Sequence, residues 1–269
     1  MISFPNAKIN LGLHVVERRS DGYHNLESLF YPVELCDILE VIPGERFGFQ
    51  STGLTIEGPE EENLVVRAWR LLQKRFDLPP VRIHLHKVIP IGAGLGGGSS
   101  DGAFMLKMAN DLFMLGMTEA KLEEMAAALG ADCPFFIGNR AALATGTGNI
   151  LQPVDLDLSG YKIVIVKPPL AVSTGMAYKV VTPRRPDHTV AEVVTRPVEE
   201  WKELLVNDFE EHVFAMFPEI GTIREELCRL GAVYASMSGS GSSVYGLFRE
   251  IPSCLADKFP GDYFVFPRL

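Results

Sequence analysis

Residues 90–101 read PIGAGLGGGSSD, in which Gly92, Gly94, Gly96, Gly97 and Gly98 stand between a patterned strand and an apolar helix. A backbone without Cβ atoms can turn its N–H groups inward and approach an anion closely. The helix N-terminus behind the loop adds partial positive charge. The hydroxyls of Ser99 and Ser100 add donors or a metal contact. A flexible linker would not join two patterned elements. Two familiar phosphate folds fit poorly. Gly92-x-Gly94-x-x-Gly97 satisfies the dinucleotide spacing, yet Val81, Ile83 and Leu85 alternate with Arg82, His84 and His86, so the preceding strand is half exposed. No acid ends a second strand about 20 residues on, and Glu119 falls in a helix. The pattern G-x-x-x-x-G-K-[ST] is absent. The loop therefore binds phosphate outside both folds, although a nicotinamide enzyme or a non-catalytic nucleotide sensor would keep the same glycines.

Upstream, residues 4–16 alternate: Ala7, Ile9, Leu11, Leu13 and Val15 on one face, Lys8, Asn10 and His14 on the other, which predicts a half-buried strand. Asp21-Gly22 is a turn signal, and 27–42 reads as strand interrupted near Pro32. Asn63 opens an amphipathic helix through Leu72. Downstream, a helix is predicted over 101–115, then one capped by Thr118 and ended by Gly130. Asp132-Cys133-Pro134 looks like a further helix start. Strand and turn follow over 141–152, strand over 161–166, and an exposed loop over 182–197. Helices at 198–206 and 219–230, strands at 232–237 and 243–248, a short helix and the strand DYFVF complete the chain. Alternating strands mixed with helices favour α+β layers, with a boundary near 153–160.

The 269 residues suggest one large or two ordinary domains. Apolar residues at 47% and charged residues at 22% exclude wholesale disorder. No apolar run reaches the roughly 18 residues of a spanning helix, and MISFPNAKINL lacks the features of a secretory signal. A net charge of −9 argues against a nucleic-acid partner. Cys36, Cys133, Cys228 and Cys254 form no C-x-x-C and no zinc spacing, so reduced thiols and a cytoplasmic location are expected.

Taken singly, the other polar positions stay ambiguous. Lys8 and Asn10 would suit a solvated strand edge. Asp21-Gly22-Tyr23-His24 would suit a hairpin turn, Asp132 a helix N-cap, and SMSGSGSS at 236–243 a tight connection. Together the segments FPNAKINLGLHVVERRSDGYHNLESLF, IPIGAGLGGGSSDGAFML, GADCPFFIGNRAALATGTG, KPPLAVSTGMAY, VNDFE and SMSGSGSSVYGLF resemble, in order, the GHMP-type small-molecule kinases. The match runs from about residue 4 to 248. Gly102 stands where an alanine would be usual, and 180–200 follows no family pattern.

The resemblance implies a two-domain α+β GHMP kinase fold, 1–156 and 157–269, with the active site in the cleft between them. It implies ATP and Mg²⁺, and phosphorylation of the 2-hydroxyl of a cytidine diphosphate sugar alcohol in the non-mevalonate route to isoprenoids. Lys8 and Asp132 match the catalytic pair, the acid accepting the hydroxyl proton and the lysine stabilising negative charge. Pro90, Ile91, Gly92, Ala93, Gly94, Leu95, Gly96, Gly97, Gly98, Ser99 and Ser100 match the ATP phosphate loop, and Asn63 and Lys87 match positions near the adenosine. Asn10, Tyr23 and His24 match the substrate side, with Tyr23 stacked on cytosine and His24 bonded to its edge. Thr174 and Tyr178 match further substrate contacts, Tyr178 as the other wall of the base site; Gly239 and Gly241 match the motif beside the diphosphate. No carboxylate stands out as the metal ligand. The small-molecule substrate is the partner implied, with no membrane and no nucleic acid.

Overall fold

The computed structural model describes residues 1–267, and its elements follow the sequence patterns closely in the middle of the chain. In order they are β1 (Ile2–Ser3), β2 (Asn6–Arg18), β3 (His24–Cys36), β4 (Ile38–Pro43), β5 (Gly48–Gly53), α1 (Leu64–Phe76), β6 (Val81–Lys87), α2 (Gly97–Leu112), α3 (Glu119–Ala127) and α4 (Phe135–Gly138). Then come β7 (Ala142–Thr145), β8 (Ile150–Pro153), β9 (Lys162–Lys167), α5 (Thr174–Val180), α6 (Val190–Val193), α7 (Glu210–Met216), α8 (Pro218–Arg229), β10 (Tyr234–Met237), β11 (Val244–Phe248) and β12 (Phe264–Phe266). Among the described residues no helix is long and apolar enough to cross a membrane.

The chain forms two compact units. The first holds Met1–Lys8, Glu34–Ile91 and Gly96–Arg140; the second holds Ile9–Val33, Gly92–Leu95 and the chain from Ala141 onward. They are interleaved in sequence, where the sequence reading places one cut at 156/157. In the first unit a sheet of order β1-β4-β6-β5 is antiparallel except for the parallel pair β5 and β6. Val81, Ile83 and Leu85 of β6 are buried while Arg82 is exposed, as their alternation predicts. Helix α1 buries Val65, Val66, Ala68, Trp69 and Leu72, each fully buried aliphatic contributing about 1.5–3 kcal/mol. It packs on α2 so closely that a Cβ on Gly102 would lie 3.1 Å from Leu64 Cβ and 3.3 Å from the Leu64 carbonyl. This close approach accounts for glycine at a position where alanine is usual.

The second unit carries two sheets, β2-β3-β7-β8 and β10-β11-β9-β12. Val164 and Val166 of β9, Val244 and Phe248 of β11, and Phe209, Ile220, Ile223 and Leu227 form one apolar core.

Several expectations change. Strand β2 is not half buried: Lys8, Asn10 and His14 are covered like their apolar neighbours, because each has found a polar partner. Strand β3 runs through Pro32 and breaks at Asp37 instead; its ladder with β7 ends at Phe30, so the missing N–H removes nothing from that ladder. The expected loop over 182–197 contains α6, closed by a Thr189/Glu192 capping box and burying Val190 and Val193. The segment expected to be a helix over 198–206 is a 3₁₀ turn, Val198–Glu203. Strand β5 and helices α5 and α7 carry too little periodicity to be read beforehand. Helix α2 starts inside the glycine run, at Gly97, rather than at Asp101.

Candidate active site

Within the first unit the site is built on the start of α2. Gly96 is its N-cap, with φ of 70°, a left-handed conformation that glycine adopts without strain. The Ser100 N–H already bonds the Gly96 carbonyl at 2.9 Å, so the N–H groups of Gly97, Gly98 and Ser99 are the free donors of the first turn. A Cβ on Gly96 would stand 2.9 Å from the Phe136 ring and 3.2 Å from Lys8 Cγ. The stem of Lys8 therefore lies against the cap of the helix that offers those donors.

Lys8 is 4% exposed, and its Nζ lies 3.6 Å from Asp132 Oδ2. Burial pulls its pKa below the usual lysine value, and Asp132 pushes it back up through its charge and a hydrogen bond. The Asp132 side chain keeps 34% of its surface. It does not cap the short helix that follows: the N-cap of α4 is Pro134, with no side-chain bond. The capping role open to Asp132 is thus replaced by pairing with Lys8. Beside it, burial raises the Cys133 thiol to about 11, and the Ser99 hydroxyl bonds to it. Such a thiol is not a nucleophile at neutral pH.

Two of the residues matched to the adenosine are held elsewhere. Asn63 is the N-cap of α1, its Oδ1 accepting the Val65 N–H at 2.9 Å. Lys87 is buried between Asp37 and Asp101 and has no free ammonium to offer a nucleotide. Its parity with Val81, Ile83 and Leu85 already put it on the core face. Asp37 and Asp101 escaped the sequence reading. Asp101 left a signal, since it shares a helix face with Met105 and Met108.

In the second unit, Gly92–Leu95 packs on the 238–241 loop. A Cβ on Gly94 would fall on the Ser238 carbonyl, and Ser238 Oγ donates to the Gly94 carbonyl at 2.8 Å. Ala93 and Leu95 are buried, as is Pro90 in the first unit, while Ile91 and Gly92 are exposed. Gly239 and Gly241 have φ of 57° and 89°, and a Cβ on Gly241 would meet Met237 Sδ at 2.7 Å. These two glycines shape the loop. Asn10 is 2% exposed, its Nδ2 donating to Ser28 Oγ at 2.9 Å and its N–H to Ser238 Oγ at 3.2 Å. It links β2 to β3 and to the 238–241 loop. Tyr23 is 67% exposed. The His24 ring stacks on Tyr178 at 5.1 Å and 21°, so the two residues matched to the base edge and the far wall lie on each other. Thr174 Oγ1 is 3.0 Å from Ser240 Oγ.

The glycines can be told apart by substitution. A Cβ on Gly96 or Gly97 meets Phe136 or Ile89, so valine there disturbs packing. Gly98 is exposed and a Cβ there has only Leu64 Cδ1 at 4.0 Å. Gly98→Val is expected to melt like wild type and to weaken ATP binding about 10–100-fold, the loss of one or two charge-assisted hydrogen bonds. Calorimetric titration with unchanged ATP affinity would show that the loop is only a connector.

The family described as GHMP kinases N terminal domain matches residues 63–140, and the GHMP kinases C terminal family matches 189–256. The chain is 57% identical over 252 residues to the 4-diphosphocytidyl-2-C-methyl-D-erythritol kinase of Bacteroides thetaiotaomicron, covering 92% of each chain. It is 50% identical over 256 residues to the enzyme of that name from Porphyromonas gingivalis, covering 94% of this chain and 93% of that one. A crystal structure of 4-(cytidine 5'-diphospho)-2C-methyl-D-erythritol kinase superposes with a TM-score of 0.83 at 36% identity, covering 98% of both chains. The mevalonate kinase of Methanococcus jannaschii shares the fold, with a TM-score of 0.72 at 14% identity over 99% of this chain and 96% of that chain. The chain belongs to the GHMP kinase family, and within it to the group of 4-diphosphocytidyl-2-C-methyl-D-erythritol kinases.

Proposed function

We propose that the protein transfers the γ-phosphoryl group of ATP to the 2-hydroxyl of 4-diphosphocytidyl-2-C-methyl-D-erythritol, a step of non-mevalonate isoprenoid synthesis. The observation that carries the reading is the pairing of Lys8 with Asp132 against the N-cap of α2. Phosphoryl transfer needs positioning and charge neutralisation more than covalent help. The N–H groups of Gly97, Gly98 and Ser99 receive the phosphate oxygens. Asp132 orients the 2-hydroxyl and accepts its proton as the hydroxyl oxygen bonds to the γ-phosphorus and the bond to the β-phosphate bridge breaks, releasing ADP. Lys8, buried beside it, offsets the negative charge that builds on the transferring group.

Among the described residues no group of three or more His, Cys, Asp or Glu could hold a metal ion. A Mg²⁺ carried mainly by the nucleotide would need no such group, and Ser99 or Ser100 at the helix start would supply the protein's side-chain contact. Bound there, Mg²⁺ supplies neutralisation of the β- and γ-phosphate charge. The four free cysteines fit a reducing, cytoplasmic setting.

Tyr23 tests the substrate half. Its exposed ring is free to stack on a base. Tyr23→Ala is expected to raise KM for the cytidine substrate by about 5–150-fold, the 1–3 kcal/mol of one base–aromatic stack, and to leave KM for ATP alone. Equal losses for both substrates would make the ring structural and remove this support.

A further inference from the structure

Lys87 is surrounded by two carboxylates. Its Nζ donates to Asp37 and, at 2.7 Å, to Asp101 Oδ2. Lys87, Asp37 and Asp101 are 3%, 0% and 2% exposed. Asp37 Oδ1 also accepts the N–H groups of Val88 at 2.6 Å and Ile89 at 2.8 Å, the residues that carry β6 into the glycine loop. Asp101 sits in the second turn of the helix whose N-terminus takes the phosphates, and its Oδ1 is buried with no hydrogen-bond partner.

One ammonium needs one carboxylate. Asp37 neutralises Lys87, so an ionised Asp101 would leave a net negative charge in the interior, at a cost of several kcal/mol. Among the described residues no other charge is turned toward it. The α1 cations Arg67 and Arg70 are exposed, and Glu40 of β4 lies on the outer sheet face with Ile38 and Ile42. Lys107 donates to the Ile137 carbonyl, Glu119 of α3 pairs with Arg140, and Asp132 pairs with Lys8. Burial raises the Asp101 carboxyl to about 8, with Lys87 opposing the shift and Asp37 adding to it. A purely structural bridge would be complete with Lys87 and Asp37.

We propose that Asp101 is a positioning residue for the ATP phosphates: through Lys87 and Asp37 it ties the first turns of α2 to the strand end that enters the glycine loop, and it does so as the neutral acid, leaving no negative charge behind the phosphate-binding N-terminus. The proposal rests on the kinase reading of that loop. A neutral acid in this place keeps the spacing of the N–H donors without repelling the anion they hold. Deprotonation adds a charge of the same sign as the ligand, in a medium that screens it poorly.

The test is ATP affinity by calorimetry at pH 7 and pH 9, with kcat and thermal melts, on wild type, Asp101→Ala and Asp101→Asn. Alanine removes the tie but leaves the Lys87–Asp37 pair, so that variant is expected to melt close to wild type. Its ATP affinity is expected to fall about tenfold at pH 7, with kcat at saturating ATP changed less than about threefold. Asparagine keeps an acceptor for Lys87 and carries no charge, so it rescues ATP affinity at pH 7. Wild-type affinity weakens severalfold from pH 7 to pH 9, as Asp101 ionises, while that of Asp101→Asn stays level. Alanine with wild-type affinity, asparagine failing together with alanine, or wild type and asparagine responding alike to pH would each overturn the proposal. The asparagine comparison stands even if the alanine variant does not fold. A wild type that does not bind ATP at all would overturn the kinase reading, and this inference with it; wild-type binding with indifferent variants overturns the inference alone.

Discussion

Asp132→Asn is expected to lose turnover by roughly 10²–10⁴ while keeping its fold, because an amide cannot accept the hydroxyl proton. A helix start was the competing use for this carboxylate, and α4 is capped at Pro134 without any side-chain bond. The remaining structural cost falls on Lys8, which loses the Asp132 carboxylate 3.6 Å away. Removing one member of a fully buried pair costs about 3–5 kcal/mol, but a third of the Asp132 side chain faces solvent, so the loss here is smaller. Lys8 also has an escape. Burial already holds its pKa down and Asp132 holds it up, so in the variant it falls further and the ammonium can shed its proton rather than unfold the site. Steady-state rates and melts on one purified variant decide the matter. Near-normal kcat would remove Asp132 from the chemistry. A melt far below wild type with kcat retained would make it a structural partner of Lys8.

Lys8→Met is expected to give the opposite signs in stability and rate. Methionine keeps the stem that packs beside Gly96, and it removes a buried ammonium whose desolvation is unfavourable. The variant should melt at or above the wild-type temperature. Its kcat should fall about 10²–10³, the usual cost of one preorganised charge at a developing anion. The double variant with Asp132→Asn should lose much less than the product of the two, since both act on one transferring group. A kcat loss accompanied by an equal fall in ATP affinity would place Lys8 on the ground-state phosphates instead.

Local pattern reached far along this chain but stopped at partners distant in sequence. The glycine loop, the alternation of β6 and the Thr118 cap of α3, whose hydroxyl accepts the Lys121 N–H, are settled by residues within a few positions of each other. The covered polar face of β2 is settled by Asp132, Ser28 and Asp208, which no periodicity connects to Lys8, Asn10 and His14. A half-buried strand is the correct inference from alternation alone, and it fails here because each polar residue on the second face has found a partner, His14 through Nδ1 alone. Lys87 is the converse case. The family resemblance placed it near the adenosine, while its parity with Val81, Ile83 and Leu85 puts it on the buried face of the strand. The 182–197 segment was obscured by its prolines and arginines, which hide a capping box and two valines that the core takes up.

The substrate panel tests the central claim most directly. The intact protein is incubated with ATP and Mg²⁺ and, separately, 4-diphosphocytidyl-2-C-methyl-D-erythritol, mevalonate, homoserine or galactose, and products are read by mass spectrometry against ADP formed. The expected result is one phosphoryl group added to the cytidine diphosphate sugar alcohol at its 2-hydroxyl, matched by ADP, with the other three acceptors unchanged. Phosphorylation of mevalonate, homoserine or galactose with the cytidine compound untouched would contradict the account.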